Sequence, residues 1–181
     1  MTSEDFLRSI IERNAANTER CTRAIEGLTE AQLNRHVGDL WSVAQVLDHL
    51  VIANTPYLMS MHTAISKAQK GKGSAAIKHT FVASKIISMM PPEKNVPVPK
   101  AMVPRSGNIE GTIGERWRRD QEVIEELARG AAGVDLNLVK FQNPFVKFLK
   151  FNLADGFGIL VAHADRHVQQ IEERAQRVRN S

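Results

Sequence analysis

Apolar positions recur along this chain at steps of three and four over four long segments, and no stretch sustains a period of two. The first segment follows Thr2 and Ser3, either able to cap a helix, with Glu4 and Asp5 placed favourably near its N-terminus. Its stripe runs Leu7, Ile11, Ala15, Thr18, Cys21, Ile25 and Leu28 and stops near Gly27, after which Thr29–Leu33 predicts a short extra turn. The second segment starts at a capping box, Ser42 with Gln45, and carries Val43, Val46, Leu47, Leu50, Val51, Leu58, Met61 and Ile65. Pro56 falls inside it, where a missing donor and a ring clash predict a kink, and the lysine and glycine run 70–73 ends it.

Residues 74–90 predict another short helix, whereas 91–108, with five prolines, predict an extended surface loop. A loop of that length is either functional or a plain crossover. A third long helix is expected from near Thr112, capped with Glu115, through Trp117, Ile124, Leu127 and Ala131. The last runs from Asn152 or Leu153 to about Arg179, its buried stripe being Leu153, Phe157, Leu160, Ala164, Val168, Ile171, Ala175 and Val178. Four amphipathic helices without strands predict an all-α four-helix bundle, with residues 1–181 as a single domain.

Composition adds limits. A chain of 181 residues, 43% hydrophobic and 24% charged, buries a proper core without staples, and its one cysteine, Cys21, cannot form an internal disulfide. Cys21 sits on the core-facing stripe and is expected as a small buried residue rather than a nucleophile. The opening MTSEDFLRSIIERN is unlike a secretory leader and the apolar runs are too short to span a bilayer, so a cytoplasmic protein with no membrane partner is expected. The net charge of +4 is spread along the chain, and its densest cluster, Lys67, Lys70, Lys72 and Lys78, has no interleaved aromatics. Nucleic acid is therefore not the expected partner.

The chemistry lies in the histidines. His163 and His167, four residues apart in the last helix, stack on one face one turn apart, with Gln170 following on the same ridge. Such a pair either ligates a metal ion or is bonded structurally to carboxylates or carbonyls. Ala164 stands where a zinc-dependent protease has its general-base glutamate, which removes that class. His49, one turn after Gln45 on the bundle-facing side of the second helix, is the candidate third ligand, with a satisfied core histidine as the competing role. His36, His62 and His79 read as surface or boundary residues, and Asp48 and Asp165 as surface charges or partners of basic neighbours. Arg166 is either an anion-recognition group or a solvated or paired side chain. Trp41 is expected to pack at the helix entry. Gly156 either opens space beside the site or, the favoured reading, marks a loosely formed helix start.

WSVAQVLDHL (41–50), NPFVKFLKFNLADGF (143–157) and HADRHVQQIEE (163–173) together resemble the signature segments of the DinB-like superfamily, including its YfiT-like members. The resemblance covers most of the chain. It implies an up-down-down-up bundle with a long crossover between helices 2 and 3, spanning 66–111, and a divalent metal ion, zinc or nickel, on His49, His163 and His167. It also implies open coordination positions and a homodimer, and Gln45, Arg166 and Gln170 are the candidate second shell or pocket. Gln45 stands where many relatives have glutamate. The implied activity is that of a metal-dependent thiol S-transferase or hydrolase acting on a small molecule, with a low-molecular-weight thiol as co-substrate. The alternative is a non-enzymatic metal- or ligand-binding stress-response module.

Overall fold

The computed structural model describes residues 1–71, 76–91, 94 and 96–180. Its long helices are α1 (Ser3–Ile25), α3 (Val43–Ser66), α5 (Ile113–Gly130) and α6 (Leu153–Arg179), with shorter α2 (Glu30–Asn34) and α4 (Phe81–Ser88) between them. Five of these six starts have a side-chain cap. Thr2, Thr29, Ser42, Thr80 and Asn152 accept from backbone N–H groups of the first turns of α1, α2, α3, α4 and α6. At α3 and α6 the bond is returned: Gln45 accepts from Ser42 N–H, and Asp155 accepts from Asn152 N–H. Thr112 precedes α5 without a side-chain capping bond, so the capping box expected with Glu115 does not form. No described helix is long and apolar enough to cross a membrane.

α1 packs on α6 and α5, and α3 packs on the same two helices. Side-chain pairs give the alignment. Arg13 with Asp165, Arg20 with Glu172 and Arg179 with the Glu26 carbonyl step forward along α1 and α6 together. Across α3 and α6 the order reverses, since His49 meets His163 while Met61 lies against Gly156. The α1–α6 ion pairs are half-exposed, so they fix register more than they stabilise.

The core falls into two apolar parts. One gathers Phe6, Ile10, Met61, Ile124, Phe151 and Phe157, and the other Cys21, Leu47, Leu50, Trp117, Val168 and Ile171. Between them lie buried amides: Asn14 and Asn17 on α1, Asn54 on α3 and Gln121 on α5. Asn14 donates to the Gln121 carbonyl at 2.9 Å and Asn17 to Asp165 at 2.6 Å. These amides turn the buried face of α1 from the expected stripe: Phe6, Ile10, Asn14 and Asn17 point inward, while Ala15 is exposed.

Strands were not expected, yet Lys140–Gln142 (β1) pairs antiparallel with Lys150–Asn152 (β2). Three residues each are too few for alternation to register as a period of two. The hairpin delivers the chain directly into α6. There Gly156 is buried and helical rather than frayed. A Cβ on it would come within 2.6 Å of Met61 Sδ and 2.9 Å of Phe141, so glycine permits the close approach of α3 and the hairpin.

α3 ends at Ser66, before the lysine and glycine run, and continues through Pro56. Of the helix expected over 74–90 the structure keeps 81–88; residues 74 and 75, like Lys72 and Gly73, lie outside the described residues. The described part of the proline-rich loop forms no strand; it bends at Pro91, Lys94, Ser106 and Gly107 and makes a 3-10 turn at Lys100–Met102.

Candidate metal centre

His49 is carried one turn past the Ser42–Gln45 cap of α3 and is 2% exposed. His163 and His167 face it from α6. The closest pair is His49 Nε2 and His163 Nε2 at 3.0 Å, and the three ring centroids lie 4.6–5.0 Å apart. One ring nitrogen from each histidine falls within 4.8 Å of the other two. Metal–nitrogen bonds of about 2.0–2.1 Å in a tetrahedral arrangement separate ligand nitrogens by about 3.3 Å, so this triad fits an ion with small adjustment. Three converging imidazole nitrogens are a donor set that suits a divalent transition metal such as zinc, copper, iron or nickel.

The outward nitrogens are committed. His49 Nδ1 donates to the Met102 carbonyl at 2.6 Å, and His167 Nδ1 donates to Gln170 Oε1 at 2.9 Å. Each bond fixes a tautomer that leaves Nε2 with its lone pair facing the cluster. Burial lowers the basicity of all three rings. For His49 it outweighs the Met102 carbonyl and the Asp48 charge, which pull the other way. His163 falls to about 3, through burial and then the neighbouring His49 and Arg166, and His167 falls well below its ordinary value for the same kinds of reason. The triad is therefore neutral at physiological pH and ready to donate.

Arg166, between the two α6 histidines in sequence, depresses all three rings through its charge. Its guanidinium is strapped to the crossover, donating to the carbonyls of Pro91 and Lys94 at 2.9 Å and of Met90 at 3.4 Å. Trp41 stacks at a tilt on His49, with ring centroids 5.2 Å apart, and forms an aromatic wall. Gln170 touches the triad directly. Gln45, one turn before His49, accepts from Ser42 N–H through its side-chain oxygen and so serves the helix start.

Of the two roles expected for Asp48, the structure shows the paired one, with Arg105 as the basic partner. Asp48 is 1% exposed and takes the Arg105 backbone N–H at 2.9 Å together with the guanidinium at 2.7–3.2 Å. Burial pushes its carboxyl up, but the Arg105 bonds and charge outweigh this and hold it below the usual range. Asp165 pairs with Arg13 and Asn17, away from the triad. Cys21 is fully buried, and its thiol is pushed up to about 12 by burial, unsuited to nucleophilic use. His79 bonds the buried Asp155, His36 bonds the Leu40 carbonyl and His62 is exposed, so none of them joins the triad.

Met102 and Arg105 were not singled out from sequence. A backbone carbonyl has no side-chain signature, and Arg105 sits among prolines with no periodicity to orient it. Only the length of the loop pointed toward this region.

No curated protein matches the chain. Among solved structures, YfiT from Bacillus subtilis, described as a probable metal-dependent hydrolase with an unusual four-helix bundle topology, shares 16% identity and superposes with a TM-score of 0.57. That match covers 97% of this chain and 86% of the other. It establishes likeness of fold. The model of the DinB superfamily matches residues 13–171, nearly the whole bundle including all three histidines. The chain belongs to the DinB superfamily.

Proposed function

We propose that this chain is a metal-dependent enzyme acting on a small molecule, either a thiol S-transferase or a hydrolase, with a zinc or nickel ion held by His49, His163 and His167. One observation carries the proposal: three neutral imidazoles converge within 4.8 Å from two helices, two with their outer nitrogens bonded so that the inner ones donate. The description of YfiT as a probable metal-dependent hydrolase favours the hydrolytic branch.

When bound, such an ion acts as a Lewis acid, easing deprotonation of a water or thiol in an open position. The chain supplies the surroundings. Arg166, held by three carbonyls, keeps a positive charge beside the triad and favours an anionic nucleophile or substrate group there. Gln170 orients His167, and Trp41 packs its ring against that of His49. Asp48 is already paired with Arg105 and Ala164 replaces the protease glutamate, so neither position provides a general base.

The same reading takes the chain as one domain over residues 1–181 with up-down-down-up helices. The forward pairing of α1 with α6 and the reversed pairing of α3 with α6 favour that direction.

The test is a turnover screen of metal-loaded and metal-stripped protein against esters and amides, and against electrophiles with common cellular thiols. Metal-dependent turnover that disappears in His163→Ala supports the proposal. Stoichiometric metal with no turnover across the panel would favour the binding-module reading instead.

A further inference from the structure

We infer that Asp48 and Arg105 are positioning residues for the triad, acting through the Met102 carbonyl. The inference rests on the metal reading above for its functional meaning, but its geometry stands independently. The crossover from α3 to α5 has no regular structure from Val103 to Gly111 to hold it in place. Its end is nevertheless pinned. Asp48, enclosed in α3, receives both the backbone N–H and the guanidinium of Arg105, 57 residues later. Pro104, next to this anchor, is buried, and the 3-10 turn Lys100–Met102 leads straight into it. The turn presents the Met102 carbonyl to His49 Nδ1 at 2.6 Å.

Asp48 and His49 are neighbours in sequence, so on α3 they diverge by about 100°. One helix therefore offers two adjacent faces to the crossover. Asp48 fixes where the loop lies, and the loop then fixes which nitrogen of His49 keeps its proton. A bond three residues from Met102 thus controls whether Nε2 is available. Arg166 holds the earlier part of the crossover, at 90–94, from the opposite helix. His167 has no such dependence on Arg105, since Gln170 on its own helix serves it. Among the described residues, His49 is the ligand whose ring the loop bonds.

The experiment uses the full chain with Arg105→Ala, Arg105→Lys and Asp48→Asn, and with Arg129→Ala as a surface control whose partner is the exposed-helix Glu125. Arg105 is largely exposed, so its substitution spares the core. Two quantities are read: zinc affinity by chelator competition, and the His49 ring ¹⁵N signature in metal-free protein. Wild type is expected to show His49 protonated at Nδ1 and bare at Nε2. In Arg105→Ala and Asp48→Asn the expected result is a mixed tautomer signature and zinc bound roughly ten-fold more weakly, the scale typical of an outer ligand partner. Arg105→Lys should recover part of both, and Arg129→Ala should change neither. An unchanged His49 signature with zinc affinity within about two-fold of wild type overturns the inference. If wild type takes up no zinc, the metal reading fails, and the His49 signature still decides the positioning claim.

Discussion

The two ends of the long crossover are held by the same device and put to different uses. At its beginning, His79 and Thr80 are tied to Asp155 of α6, which is 0% exposed and accepts from His79 Nδ1 at 3.2 Å and Thr80 N–H at 2.9 Å. At its end, Arg105 is tied to Asp48 of α3, equally enclosed. In both cases burial pushes the carboxyl up, and donors from the loop outweigh that and hold it low. The difference is what each aspartate stands beside. Asp155 is also the reciprocal member of the α6 cap, so its partners join loop, helix start and core. Asp48 caps nothing and adjoins a metal-ligand candidate. A buried carboxylate with loop donors is therefore a stability device at one end and a positioning device at the other, and only its neighbours decide which.

The sharpest way to break this contrast is Asp155→Ala. It leaves Thr80 N–H, Asn152 N–H and His79 without their acceptor in the interior, and the expected loss of stability is about 3–5 kcal/mol, measured by chemical denaturation. Zinc stoichiometry of the folded fraction should be unchanged; its loss would erase the distinction between the two ends. Next in size is Gly156→Ala at the same end. The added methyl meets Met61 and Phe141 side chains, with an expected cost of about 1–3 kcal/mol in denaturant midpoint and, again, an intact triad.

Acid should act on both anchors together. Each has a folded value below the unfolded one of 3.8, so each contributes stability above that value and loses it as the pH falls through its folded value. Denaturation curves collected downward from pH 5 should show the protein weakening below about pH 4.

A third acid sharpens the lesson, since one of its buried oxygens has no hydrogen bond among the described residues. Asp120 on α5 has an enclosed Oδ2 with no hydrogen bond, and burial pushes it up to about 7 despite Arg116. Its sign is opposite: the folded state holds the proton more tightly, so stability falls as pH rises from about 4 to 7. Asp120→Asn is expected to be the smallest of these effects, a gain of about 1 kcal/mol at pH 8 and none at pH 4, after allowing for its partial exposure.

Much of this architecture was legible from periodicity. The start of α3 at Ser42, that of α6 at Asn152 and the inward stripe of α6 follow from spacing and caps, because these are local in sequence. The rest depended on partners far away. Asp48 resembles any charged residue on an amphipathic helix until Arg105 arrives across the crossover. Gly156 resembles a weak helix start until Met61 and Phe141 close on it. Asn14 and Asn17 lie off the stripe expected for α1, and it is the bundle that encloses them. The same holds within the site. The stacking of His163 and His167 was readable from a four-residue interval, the place of His49 came from family resemblance, and the Met102 carbonyl was invisible to either.

The central claim is that the three imidazoles form a metal site, and isothermal titration of chelator-treated protein with zinc and with nickel tests it most directly. The account predicts uptake of one ion per chain by the wild type and none by His167→Ala. Failure of the wild type to bind either ion, or a His167→Ala variant that titrates as the wild type does, would contradict it.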